Sequence, residues 1–268
     1  MVPLCSLIRN KYFVEYVRMK IVTLNTWGKY GPYEKRWQFL VQELISTKPD
    51  IICLQEVEEP ELLEKIEQAA SLPFSIASYE AGLTISTHFP IFFEHIVNYK
   101  TISPNEEKDR KAVIVGLEVE KKRIIVANTH LSWKTEDTEI RYQQVRELIH
   151  AVKQTGEQGI LTGDFNDTPE SKTIREIKKA GYIDLYASLN PSKREITWDN
   201  QNPFIQTHSV KFPDRRIDFL FLHESLANTL APEKCEIIFR RPGPNGIYPS
   251  DHYGVCAEIR KTARSSSG

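Results

Sequence analysis

The sequence has no run approaching the ~18 consecutive apolar residues of a membrane-spanning helix. It also lacks an excess of either charge. Lys and Arg number 35 and Asp and Glu 36, a net charge of −1 over 268 residues, whereas a constitutive nucleic-acid coat carries a strong basic surplus. Cysteine is sparse: Cys5, Cys53, Cys235 and Cys256 form no C-x-x-C and no paired zinc spacing, which excludes a disulfide scaffold or a zinc ribbon. Cys53 sits in an apolar run and reads as a small buried hydrophobe. The first residues offer no small-residue cleavage site, and Val2 to Ile8 is a short apolar patch broken by Pro3, unlike a secretory signal. With reduced thiols, the expected compartment is cytoplasmic. Methionine occurs only at Met1 and Met19, and the first strong strand starts directly after Met19. Residues 1–18 are therefore expected to be a dispensable extension, 19–260 one domain without repeat or linker, and 261–268 a polar, disordered tail.

What is present is an alternation of apolar strands with amphipathic helices. Lys20–Thr26, Asp50–Leu54, Phe74–Tyr79, Leu83–Ser86 and Ile91–Lys100 read as strands, as do Ala112–Glu120 and Arg123–Asn128, the last two as a hairpin. Helices are predicted over Glu34–Thr47, Pro60–Ala70, Glu136–Lys153 and Ser171–Ala180, the last ended by Gly181. Residues 187–214 have no period and read as a long loop, of the kind that is usually functional or mobile. Ile217–Leu222, Glu233–Arg240 and Tyr253–Arg260 complete the strands. Many strands with helices interspersed suggest two packed sheets with helices outside.

Polar residues recur where apolar strands stop. Asn25 follows Ile21–Leu24, Gln55 and Glu56 follow Ile51–Leu54, Asn128-Thr-His130 follows Ile124–Ala127, and Asp164 and Asn166 follow Ile160–Leu161. On extended backbone, Asp164 and Asn166 point one way and Phe165 the other. Gly163 reads as the turn out of the strand. The plain alternative for this stretch is an Asx-rich turn, with Asp167 or Thr168 capping a helix that opens at Pro169. Asn25 as a strand terminator, Glu56 as a solvated acid, and His130 and His252 as structural histidines are the corresponding plain readings elsewhere. Asp218 resists one. A carboxylate flanked by Ile217, Phe219, Leu220 and Phe221 costs several kcal/mol to bury unpaired, and a histidine kept cationic would supply the partner. His252, in Ser250-Asp251-His252, is the candidate.

Taken in order, Leu24-Asn-Thr-Trp27, Leu54-Gln-Glu56, Asn128-Thr-His-Leu131, Gly163-Asp-Phe-Asn166, Arg216-Ile-Asp218 and Ser250-Asp-His252 resemble the motifs of the endonuclease/exonuclease/phosphatase superfamily, the deoxyribonuclease-I-like fold. The resemblance covers about Lys20 to Arg260. It implies an α+β fold, a four-layer α/β/β/α sandwich of two mixed sheets with outer helices, and divalent-metal-dependent cleavage of a phosphoester. By motif it implies Glu56 as principal Mg²⁺ ligand (Mn²⁺ being the alternative), with Asn25 and Asp251 in the metal shell. Asp164 would orient or deprotonate the attacking water, Asn166 would hold a non-bridging oxygen, and His252, steadied by Asp218, would contact the scissile phosphate. His130 would act on it from another side. One departure stands out: the acid that the family often carries directly before Gly-Leu is Ala81 here, and Glu80, one residue earlier, is expected to point to the opposite face.

The substrate expected is a phosphodiester, nucleic-acid or nucleotide-like. The alternatives are a sphingomyelinase-like lipid diester, a sugar or inositol phosphomonoester, and a non-catalytic binding module that kept the fold. Trp27, Tyr30, Arg110, Lys111, Trp133, Trp198, Asn200 and Tyr248 are the candidate substrate-facing residues. Trp133, three residues past His130, is read either as a stacking platform or as a cap on the core.

Overall fold

The computed structural model describes residues 18–119, 121–243 and 246–261. In chain order its elements are β1 (Arg18–Asn25), α1 (Tyr33–Thr47), β2 (Ile51–Gln55), α2 (Pro60–Ala70), β3 (Phe74–Ser78), β4 (Leu83–Thr87) and β5 (Ile91–Asn98). There follow β6 (Lys111–Val119), β7 (Lys122–His130), α3 (Thr138–Gln154), β8 (Gly159–Asp164), α4 (Lys172–Lys179), β9 (Tyr182–Asp184) and α5 (Leu185–Leu189). The last strands are β10 (Asp218–His223), β11 (Leu230–Ile238) and β12 (Gly254–Lys261).

Two six-stranded sheets result, ordered β11-β12-β1-β2-β4-β3 and β5-β6-β7-β8-β10-β9. Each contains one parallel pair, β1 with β2 and β7 with β8. Parallel neighbours need a crossover, and α1 and α3 supply it. Both parallel pairs therefore end at the same edge, which is where the polar residues collect.

Strand alternation sets the layers. Ile51 and Cys53 of β2 face the other sheet, packing with Ile21, Ile85, Val113, Val126, Ile160 and Leu220. Ile52 and Leu54 face outward, under Leu40 and Leu44 of α1 and Leu63 and Ile66 of α2. On the far side, Val145, Leu148, Ile174 and Ile177 cover Ile125, Leu161, Phe219 and Phe221. The expected four-layer sandwich is thus what forms. No helix among the described residues is long and apolar enough to cross a membrane.

A polar lock joins the sheets beneath the site. Asn128 of β7 donates to the carbonyls of Leu54 and Thr84 in the opposite sheet, and accepts from Gln55 Nε2 at 2.7 Å. A buried amide satisfied in this way fixes the register of one sheet on the other.

Several expectations are corrected. β1 begins at Arg18, which pairs with Arg260, and Met19 is buried, so the domain edge lies within the extension assigned to residues 1–18. The rest of that extension and 262–268 of the expected tail lie outside the described residues. The helix after the Asp164 loop is capped by Ser171, whose Oγ accepts from Ile174 N, not by Asp167 or Thr168. Gly163 is not a turn but a ladder position opposite Phe219; a Cβ there would lie 2.0 Å from the Thr129 carbonyl oxygen. Residues Tyr182–Leu189, too short to show a period, form β9 and α5.

Candidate active site

Asn25, Glu56, His130, Asp164, Asn166, Asp218, Asp251 and His252 converge at the shared sheet edge. Asp164 is the hub. Its Oδ2 accepts from Asn25 Nδ2 at 3.0 Å and lies 3.4 Å from His130 Nε2 and 3.8 Å from His252 Nε2. Its Oδ1 accepts from Asn166 N at 2.9 Å. Asn25 Nδ2 also donates to Glu56 Oε1 at 2.9 Å, so a single amide links the two carboxylates.

The predicted partner of Asp218 is found. His252 Nδ1 lies 2.9 Å from Asp218 Oδ2, with both residues buried. Burial opposes an imidazolium, yet Asp218, Asp251 and Asp164 outweigh it and pull the His252 pKa up to about 10. Asp164 is pushed up to about 7, first by burial and then by the Asp218 charge. His130 goes the other way: burial, then the positive charges of Arg110 and His252, hold it well below the ordinary imidazole range. These shifts favour a neutral His130 and a cationic His252.

Asn166 and Glu56 both depart from extended backbone, with φ of 49° and 59°. The left-handed turn at Asn166 places its Nδ2 on the Leu131 carbonyl at 3.0 Å, while Phe165 points into the outer core against Phe219 and Phe221. The Glu56 conformation is supported by Gly82, which approaches so closely that a Cβ would lie 2.9 Å from Glu56 Cα. Strain of this kind persists where the surroundings impose it.

The donor set fits a divalent cation at Glu56. Burial and the Asp251 carboxylate both raise the Glu56 pKa, so like charges crowd together where a cation would relieve them. Carboxylate and amide oxygens are the ligands that hard cations prefer. Asp164, Asp218 and His252 also bring ligand atoms within 4.8 Å of one another, but there the histidine proton already serves as the counter-charge.

Arg36 was not anticipated from sequence, where Glu34-Lys35-Arg36 looks like the solvated face of a helix. It is fully buried. Its nitrogens donate to the carbonyls of Thr26, Trp27, Gly28 and Tyr30 in the loop after β1, and to Pro249 in the loop before β12. The first loop follows directly on Asn25, and the second carries Asp251. His208, from the long loop, was also missed; its Nε2 lies 2.8 Å from Asp251 Oδ2. No local signal in 187–214 marks it. Arg216 makes a two-pronged pair with Asp184 and so anchors the strand that carries Asp218.

Among the candidate substrate-facing residues, Trp27 and Trp198 are corrected: both are buried, Trp27 stacked on Phe204 and Trp198 edge-on to His252. Lys111 is paired with Glu80, an exposed acid. Asn200 bonds Asp214 and the Phe212 carbonyl. Tyr30 is exposed, Trp133 is half-buried under Lys134, and Arg110 is held by Glu106.

Comparison with known proteins places the chain in a family. Residues 22–252 match the family model described as Endonuclease/Exonuclease/phosphatase family. The Drosophila melanogaster protein angel is 27% identical over 185 residues, covering 61% of this chain and 52% of that protein. The probable RNA exonuclease NGL3 of Saccharomyces cerevisiae is 28% identical over 205 residues, covering 62% and 41%. The chain thus spans about half the length of the curated relatives it matches. Among solved structures, D. rerio TDP2 complexed with single strand DNA product superposes with a TM-score of 0.75 at 19% identity, covering 90% of this chain and 98% of that one. A Bacteroides thetaiotaomicron endonuclease/exonuclease/phosphatase family protein gives 0.74 at 15% identity, covering 93% and 100%. At such identities the likeness speaks for the fold, while the family-model match covers nearly the whole described domain, and the chain belongs to the endonuclease/exonuclease/phosphatase family.

Proposed function

We propose that this protein is a divalent-metal-dependent hydrolase of phosphodiester bonds, Mg²⁺ being the working ion and nucleic acid or a nucleotide-like molecule the substrate. The observation that carries the reading is the position of Asp164, a carboxylate with a pKa near neutrality set between a neutral histidine, a cationic histidine and the Asn25–Glu56 pair. A general base works best with its pKa near the operating pH.

Glu56, with Asn25 and Asp251 beside it, would hold the ion, which supplies Lewis acidity at a phosphoryl oxygen. Asp164 takes the proton of the attacking water. His252, its Nδ1 committed to Asp218, presents Nε2–H⁺ to the phosphoryl oxygens as negative charge grows there. Asn166 and the neutral His130 donate hydrogen bonds to the same group. The names of the relatives, among them a probable RNA exonuclease and a structure with single strand DNA product, support a nucleic-acid substrate.

The test is Mg²⁺-dependent release of p-nitrophenol from bis(p-nitrophenyl) phosphate, with the monoester alongside and Glu56→Ala as control. Diester turnover that EDTA abolishes, that Mg²⁺ restores and that the variant loses is the expected result. Turnover of the monoester alone would replace the reading with a phosphatase.

A further inference from the structure

Arg215 stands apart from the other arginines around the cleft. Arg36 is bound to carbonyls, Arg110 to Glu106, Arg141 to Asp167 and Arg216 to Asp184. The Arg215 guanidinium lies 3.8 Å from the Phe212 ring centroid and 5.8 Å from that of Trp198, and its buried Nε has no hydrogen-bond partner. No carboxylate among the described residues forms an ion pair with it. A guanidinium held by its flat face leaves its in-plane N–H edge for a ligand, and that edge matches the geometry of a phosphate.

The backbone gives this cation a fixed place. Trp198 pairs antiparallel with Arg215 on one side and with His252 on the other. Arg215 N donates to Trp198 O at 3.0 Å, Trp198 N to Arg215 O at 2.9 Å, and Tyr253 N to Thr197 O at 2.8 Å. Residues opposite one another in such a ladder share a face. His252, Trp198 and Arg215 therefore form a row on the face that looks onto Asp164, with Arg215 two strand spacings, about 10 Å, from His252 in backbone position. Asp164 is the foremost carboxylate whose charge acts on Arg215, ahead of Asp167 and Asp218. Arg215 thus borders the same cleft, yet it sits beyond the Trp198 ring from the cation assigned to the scissile phosphate.

We propose that Arg215 binds a second, non-scissile phosphate, the one adjoining the bond to be cut, and so selects a nucleic-acid strand over an isolated diester. This rests on the phosphodiesterase reading above. The neighbouring phosphate of a strand that lies along the His252–Trp198–Arg215 row meets a guanidinium that no carboxylate or carbonyl among the described residues holds by its side chain.

The experiment compares wild type, Arg215→Gln and Arg215→Lys on single-stranded hexathymidylate and on bis(p-nitrophenyl) phosphate, which has no second phosphate. In Arg215→Gln, kcat/KM for the oligonucleotide should fall roughly 10- to 100-fold, as expected for a lost charged hydrogen bond, and mainly through KM. The small diester should change by less than about twofold, and Arg215→Lys should recover part of the loss. In EDTA, with turnover stopped, the affinity for fluorescein-labelled hexathymidylate should depend on salt less steeply in Arg215→Gln by about 0.7 in the log–log slope, the value of one phosphate contact on a single strand. Equal losses on both substrates, or an unchanged slope, would overturn the proposal. A wild type that cleaves no diester would instead overturn the functional reading, and the salt slope would still decide the role of Arg215.

Discussion

His252 Nδ1 meets Asp218 Oδ2 at 2.9 Å in a buried contact between residues that lie 34 positions apart in the chain. The carboxylate fixes the ring, keeps the proton on Nδ1 and leaves Nε2–H⁺ facing Asp164. An amide at 218 can accept a hydrogen bond but cannot stabilise the cation. Asp218→Asn should therefore keep the fold and lower kcat by roughly 10²- to 10⁴-fold, the range seen when a histidine loses its orienting acid. Ring-nitrogen NMR should show the His252 pKa dropping from about 10 towards the ordinary imidazole range. Undiminished turnover would mean that His252 does not act as a cation.

The carboxylate of Asp164 should cost stability in the pH range where the proposed mechanism needs it ionised. Its folded-state pKa of about 7 stands above the 3.8 of an unperturbed aspartate, so the folded form holds the proton more tightly. That contribution to stability is complete below about pH 3.8 and is lost as pH rises through 7. His252, also raised, adds a second loss of the same sign as pH climbs from 6.5 through about 10. Asp164→Asn removes the first. In EDTA at pH 8 the variant should melt a few degrees higher than wild type, on the order of 1 kcal/mol, and at pH 4 the two should coincide. Its turnover should be lost at both. A variant that melts lower at pH 8 would show that the buried carboxylate is well compensated.

Arg36 ties the loop that follows Asn25 to the loop that carries Asp251 through carbonyls alone, without a carboxylate in contact. Burial lowers its pKa to about 10, a value that still leaves it charged at neutral pH. Lysine is too narrow to reach both loops, so Arg36→Lys leaves buried carbonyls unbonded at roughly 1–3 kcal/mol each. The expected outcome is a loss of about 3 kcal/mol in urea unfolding, together with a higher Mg²⁺ concentration for half-maximal diester turnover. A purely structural arginine would change the first and not the second.

The strands and helices are legible in the sequence wherever an apolar period runs long enough, and the candidate site residues stand out because they sit at strand ends, which the fold gathers at one edge. Asp218 pointed to His252 through the cost of burying a lone carboxylate between Ile217 and Phe219. The sequence concealed residues whose role depends on long-range packing. Arg36 looks like one more charge in a helix of Glu and Lys, and its five carbonyl partners come from segments up to 213 positions away. Trp27 and Trp198 read as rim aromatics, but the long loop folds Phe204 and His208 over them. Tyr182–Asp184 is three residues long and becomes a strand only because β10 offers it an edge.

Gly82 occupies the position after the alanine that replaces the family's acid, and it bears on Glu56 through the backbone. Its φ is +67°, and its carbonyl accepts from Val57 N at 2.9 Å. A methyl group there would lie 2.9 Å from Glu56 Cα and 3.2 Å from its nitrogen, atoms that cannot swing aside like the end of a side chain. Gly82→Ala therefore pays twice, once for the left-handed backbone and once for displacing the Glu56 turn, for a combined loss of about 1–3 kcal/mol. The displacement moves the carboxylate away from Asn25. Diester turnover should consequently need more Mg²⁺ for half-saturation, whereas kcat at saturating ion should fall less than tenfold on the order-of-magnitude scale of a misplaced ligand. Gly181→Ala is the control: it has a similar backbone, φ +89°, and its neighbours His223 and Glu224 lie on β10 and just beyond it. It should lose stability with no change in the Mg²⁺ requirement, and a matching change in both variants would assign the effect to general loosening of the fold.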